Sequence, residues 1–178
     1  MTTSLKSTLP ALGRILGASP NALYERQKVI VAEGLLKVVP GRGPGSGVVA
    51  TPESVALLLI ATFSGLGITE TGPTARSLAE AVVQVGRKCP LTGAKNCADA
   101  LARILRDQSL SDRVHSLGVY FSSAAGAVTI DYDAGKHSTF ICPLPSKSAF
   151  AIDIRLKKET IQLLTMTVIE LVNDGKGS

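Results

Sequence analysis

The chain of 178 residues contains no tryptophan and only four phenylalanines and three tyrosines. That is too few to build the stacked aromatic platforms on which single-stranded nucleic acid lies. Its three cysteines, Cys89, Cys97 and Cys142, form no paired framework. This argues against a disulfide-stapled scaffold and fits a reducing cytoplasm. Cys89 and Cys97 are also spaced unlike the tight pairs of structural zinc sites. Only two histidines, His115 and His137, are available for general-base or metal chemistry. No apolar run exceeds Val55–Ala61, far short of the roughly 18 to 20 residues of a bilayer span. Met1–Ser7 lacks an apolar signal-peptide core, so neither a membrane location nor export is expected.

Missing motifs narrow the chemistry further. There is no G-x-x-x-x-G-K-[ST] phosphate loop, no G-x-G-x-x-G opening a helix after a strand, and no G-x-S-x-G nucleophile elbow. Asp131, Asp133 and His137 lie close in sequence and could form a cation or substrate site, but Asp133-Ala-Gly is ordinary turn chemistry. The expectation is a non-enzyme with no metal and no cofactor.

The composition that remains is that of a folding protein, 45% hydrophobic and 19% charged, enough for one domain of ordinary size or two small ones. The net charge of +5 is unevenly spread. Residues 1–50 carry six basic side chains (Lys6, Arg14, Arg26, Lys28, Lys37, Arg42) against Glu25 and Glu33, a surplus of four. The other 128 residues are nearly balanced. A polyanionic partner for the first quarter is the simplest physical reading.

In that quarter, Leu9, Leu12, Ile15 and Leu16 form a short helical stripe that Gly17-Ala18-Ser19 ends. Ser19-Pro20 then starts a second helix, with serine as N-cap and proline at the first helical position. Gly34 stops it near Glu33. Leu35–Val39, a glycine-rich loop over 40–47, and Val48–Ala50 read as strand, loop, strand.

Leu9-Pro10, Leu16-Gly17-Ala18-Ser19, Glu33-Gly34-Leu35-Leu36 and Pro40-Gly41-Arg42-Gly43 occur in that order at spacings that resemble the DNA-binding domain of the GntR family of bacterial regulators. The resemblance covers about residues 9–50. It implies a winged helix-turn-helix, with the second helix entering the major groove and the glycine-rich wing beside it. Three departures stand out. Only eight residues precede Leu9, where the family has a longer helix. Pro20 and Tyr24 replace base-contacting arginines. Arg26 and Gln27 stand where the family has buried apolar residues.

On the second helix, a rotation of 100° per residue groups Ala22, Leu23, Val29 and Ile30 on the inner side and Asn21, Tyr24, Lys28 and, less centrally, Glu25 on the outer. Asn21 can pair with adenine, Tyr24 can donate to a base or phosphate, and Lys28 can reach a phosphate. Ser19 marks a helix N-terminus suited to a phosphate oxygen. In the wing, Arg42 can enter the minor groove, with Gly43 letting the backbone approach. The expected DNA contacts are therefore Ser19, Asn21, Tyr24, Glu25, Lys28, Arg42 and Gly43.

The remainder, residues 52–178 after a boundary at 51, reads as an α+β unit. Helices are expected over Glu53–Phe63 (capped by Thr51), from Gly72-Pro73-Thr74 through Val85, and over Ala94–Arg106. About four antiparallel strands follow, marked by Leu117/Val119/Phe121, Val128/Ile130/Tyr132, Thr139–Cys142 and Phe150–Leu156, with a turn at Ala124-Ala125-Gly126. A terminal helix, Glu159–Val172, has two apolar faces, one for the core and one for a second copy. The whole is expected to be a homodimeric regulator of bacterial or phage type that binds double-stranded DNA, for example a repressor. A protein-interaction module on the same fold, or a regulator with a small-molecule effector pocket in its second half, are the alternatives.

Overall fold

A computed structural model of the chain describes residues 3–41, 47–64, 68–121, 125–144 and 152–174. The first helix, α1 (Leu5–Leu16), begins a turn earlier than the apolar stripe suggests. Ser4 caps it, its Oγ accepting from the Ser7 N–H at 3.2 Å, and Pro10 lies inside it on the exposed side. Its last turn closes tightly: Gly17 is left-handed (φ 66°) and the Ala18 N–H donates to the Gly13 carbonyl at 3.0 Å. A Cβ on Gly13 would stand 2.5 Å from the Ala18 oxygen, so the turn requires glycine there.

Helix α2 (Pro20–Ala32) follows the expected punctuation. The Ser19 Oγ accepts from the Ala22 N–H at 3.1 Å, and Gly34 ends the helix with φ 73°. The strands expected next do not form. Leu35 and Leu36 both donate their N–H groups to the Ile30 carbonyl, closing the end of α2 instead of joining a ladder. What remains of the hairpin is one bridge, Val39 to Gly47, and a second between Val49 and Ser4.

Helix α3 (Pro52–Phe63) carries a reciprocal cap between Thr51 and Ser54 and is buried almost all round. Helix α4 (Ile68–Glu80) differs from the expected element at both ends: Pro73 lies within it, and it stops before Val82. Val82 and Val83 form a short strand, β1, so Val82 is 58% and Val85 80% exposed where a helical stripe would have buried them. Helix α5 (Cys97–Arg106) is capped by Asn96, and a short α6 (Gln108–Arg113), absent from the sequence reading, is capped by Asp107.

Four longer strands, β2 (Val114–Phe121), β3 (Ala125–Tyr132), β4 (Lys136–Pro143) and β5 (Ile152–Lys157), complete an antiparallel sheet ordered β1-β4-β3-β2-β5. Of the expected Ala124-Ala125-Gly126 turn, Ala125 and Gly126 belong to β3, and Ala124 lies outside the described residues. Alternate residues Leu117, Val119, Phe121, Val128, Ile130, Tyr132 and Phe140 face the helical layer and are buried. The terminal helix α7 (Lys158–Asp174) buries Ile161, Leu164 and Val168 and leaves Leu163 and Met166 about half exposed.

The described residues thus form a mixed α+β fold with seven helices and a five-stranded sheet. A single apolar cluster runs from Leu5, Leu9, Leu12, Leu23 and Ile30 through α3 and α5 to the sheet and α7. It crosses residue 51 without interruption. Arg26 of α2 donates to the Ala61 carbonyl of α3 at 2.8 Å and to the Thr71 Oγ1 of α4 at 3.3 Å. Arg76 of α4 returns a hydrogen bond to the Glu33 carbonyl.

Candidate nucleic-acid interface

The two helices and the clasped loop meet around the N-terminus of α1. Asn21, Lys28 and Ala32 lie on the solvent side of α2, with Glu25 half-buried between them. The buried stripe is Leu23, Gln27 and Ile30. Ala22 is exposed and Val29 only half-buried, contrary to expectation. The helix is turned about 60° from the orientation its apolar residues suggest. The reason is that α2 packs against α1, α3 and α4 together. Gln27 faces the interior, and Arg26 leans across to the ends of α3 and α4.

Tyr24 sits at the edge of the exposed face between two cations. The Lys6 ammonium lies 4.8 Å and the Lys28 ammonium 5.6 Å from its ring centroid, within the range of cation–π attraction. Lys28 also reaches Glu25 at 2.7 Å, and this hydrogen-bonded carboxylate raises the lysine pKa. Glu25 therefore neutralises part of the positive face. Lys6 was not among the expected contacts. Only a helix starting at Leu5 brings it to Tyr24, and the signal for that start was the Ser4 cap.

The wing-like loop is closed at its base. Val39 and Gly47 exchange two backbone hydrogen bonds at 2.9 and 2.8 Å. The returning arm then pairs with the residues preceding α1: the Leu5 N–H donates to the Val48 carbonyl at 2.7 Å and the Ala50 N–H to the Thr3 carbonyl at 2.8 Å. The base of the loop is thereby tied next to Lys6, and through it to Tyr24. Arg42 and Gly43 lie outside the described residues. Ser19, exposed, spends its side chain on the cap; Pro20 has no N–H and the Ala22 and Leu23 N–H groups donate to Ser19, which leaves the Asn21 N–H of the first turn for an acceptor.

Of the other candidate groups, the β3–β4 register makes Asp131 and His137 cross-strand neighbours, whereas Asp133 is engaged by Arg113. Asp133 heads the β3–β4 turn in a left-handed conformation (φ 43°), gripped by Arg113 through two hydrogen bonds of 3.0 and 2.9 Å that hold its carboxyl below the usual range. Asp131 instead accepts from the Ser116 hydroxyl at 2.5 Å, opposite His137 in the β3–β4 register. Cys89, Cys97 and Cys142 are all buried thiols, and burial pushes the Cys97 pKa up. No cluster of three metal-ligating side chains occurs among the described residues, and no helix among them is long and apolar enough to cross a membrane.

A cleft of about 510 Å³ opens on the side of the returning arm. Val49, Ala50 and Pro52 form one wall, and Val168, Leu171 and Val172 of α7 the other. The Arg106–Glu53 ion pair joins α5 to α3 at its margin. Compared with protein-family models, curated proteins and solved structures, the chain finds no match.

Proposed function

We propose that this chain is a cytoplasmic, homodimeric transcription regulator that binds double-stranded DNA through α2 and the loop that follows it. The observation that carries the reading is the grouping of Asn21, Tyr24, Lys28 and Lys6 on one exposed face, with the base of the loop after α2, Val39 and Gly47, tied to the start of α1 beside them. In this reading α1 and α2 are the helix-turn-helix, and α3 supplies the third packing surface that a longer preceding helix supplies in the family it resembles. Thr3 and Ser4 take the place of the short strand that steadies a wing. Asn21 reads a base edge, Lys6 and Lys28 meet phosphates, and Arg42 with Gly43 enters the minor groove. Approach of DNA frees Lys28 from Glu25 and releases condensed counterions. The reading involves no catalytic step.

The test is binding of the full-length protein to genomic duplex fragments across a salt series. Submicromolar, salt-sensitive binding is expected. Lys6→Ala or Lys28→Ala should each lower the slope of log affinity against log salt by about 0.9. Asn21→Ala should instead relax sequence preference at nearly constant slope. Salt-insensitive or absent binding refutes the reading.

The cleft favours a second, compatible reading, that of a regulator with a small-molecule effector. Its volume is that of ordinary ligand pockets, and one wall is the arm that carries the loop. Small apolar compounds that raise the melting temperature should lose that effect in Val172→Arg, which fills the cleft with charge. An unchanged shift in that variant rules the cleft out.

A further inference from the structure

The two edges of the sheet are not alike. One is β1, only two residues long; the other is β5, six residues that pair with β2 on one side and with no strand on the other among the described residues. A six-residue open edge presents unpaired backbone donors and acceptors, which proteins usually bury or guard with like charges. Here the outward side chains carry both signs instead: Asp153 and Arg155, 3.5 Å apart along the strand, then Lys157, all three exposed. On the other face, Ile154 and Leu156 pack against the core yet stay only half-buried, as residues lacking a neighbour strand do.

We infer that β5 pairs antiparallel with β5 of a second copy across a twofold axis at Ile154. That register places Asp153 opposite the partner's Arg155 and Arg155 opposite the partner's Asp153. Ile154 meets its own copy, so the apolar face continues across the axis. Sliding the pair by two residues in one direction sets Asp153 against Asp153; in the other it sets Arg155 against Arg155. Of these three registers, the one centred on Ile154 alone avoids a like-charge pair on the axis while keeping both sheets facing the same way. The result is a continuous sheet of ten strands with all helices on one side. This deepens the dimeric part of the reading above by naming its interface. It uses the β5 edge and not the exposed Leu163–Met166 face of α7.

Sedimentation velocity on the full-length chain, without DNA, tests it. The wild type should self-associate as a dimer. Asp153→Arg and Arg155→Asp, each of which creates two like-charge pairs, should weaken the dimer by about tenfold or more. The double variant carrying both changes should restore it, with circular dichroism showing all four proteins equally folded. Met166→Asp should leave association unchanged. A monomeric wild type overturns the interface, as do single variants that still dimerise, a double variant that stays dissociated, or a dimer lost in Met166→Asp alone. Because no DNA is present, a failure here leaves the DNA-binding test standing, and failure of that test leaves this one standing.

Discussion

Arg26 offers the sharpest test of how the first 50 residues join the rest. Lys6, Arg14, Lys28 and Lys37 are exposed, whereas Arg26 is half-buried and spends its guanidinium on α3 and α4. Burial lowers its pKa, but an arginine stays charged at any working pH. Replacing it with methionine keeps the aliphatic stem and removes both hydrogen bonds. Bonds from a charged donor contribute about 1.5–3 kcal/mol each way they are broken. The Ala61 carbonyl keeps the Ser64 hydroxyl at 2.8 Å, so no acceptor is stranded, and the loss should fall near the low end, about 1.5–2 kcal/mol. For a chain of this size that is a fall of roughly 3–8 °C in melting temperature. Far- and near-ultraviolet circular dichroism, followed together, should give one transition that moves as a whole. Two transitions with only the earlier one displaced, or no displacement at all, would show that residues 3–51 melt independently and that the shared core is not a cooperative unit.

Three further outcomes follow from single sites. Gly13→Ala drives a methyl against the Ala18 carbonyl and should cost about 1–3 kcal/mol; a variant as stable as the wild type in urea titration would refute the tight-turn argument. Arg113 lowers the Asp133 pKa, so the pair stabilises fully above the unfolded carboxylate value, about 3.9, and is lost as pH falls through the lower folded value. The wild type should therefore melt above Asp133→Asn at pH 6, and that margin should narrow steadily once the pH falls below the unfolded value; a margin that does not change in acid refutes the assignment. The Cys97 pKa is raised by burial, so its neutral thiol stabilises fully below the unfolded value, about 8.5, and that stability fades as pH rises. Between pH 7 and 9.5 an exposed thiol gains roughly thirtyfold in thiolate, whereas peptide mapping after iodoacetamide should show Cys97 almost untouched at both. Labelling that rises in step with a free thiol would refute the burial argument.

The elements that could be read in advance are those whose ends carry their own chemistry. Ser19-Pro20, Thr51-Pro52, Gly17 and Gly34 mark helix ends through caps and left-handed turns that need no tertiary partner. The alternation in β2 and β3 was equally plain, because one face of each is buried and the other is not. What escaped depends on neighbours. Pro73 suggested a helix start, but packed against α2 the helix α4 runs on past it toward Ile68. Val82 and Val83 fit a helical stripe until β4 offers a ladder. Leu35–Val39 has strand-forming residues, but the Leu35 and Leu36 donors go to Ile30 instead. At the candidate site the polar residues of α2 were legible, and Arg26 and Gln27, standing where the resembled family buries apolar residues, pointed to a rotated or additionally packed helix; the partners that set the rotation, α3 and α4, were not legible. Lys6 was hidden for the same reason: its place beside Tyr24 exists only once both helices are docked.

The bridges from Thr3–Leu5 to Val48–Ala50, together with the Arg26 and Arg76 clasps, join the first two helices to the rest of the described residues without a linker. If two such chains grip DNA, the distance and angle between their heads are fixed by the body alone. Regulators whose heads hang on tethers accept half-sites at several separations; under the proposed function, a chain of this build should accept a single phasing. Inserting about 5 base pairs between half-sites turns one of them to the far side of the duplex, and binding should fall to that of a lone half-site.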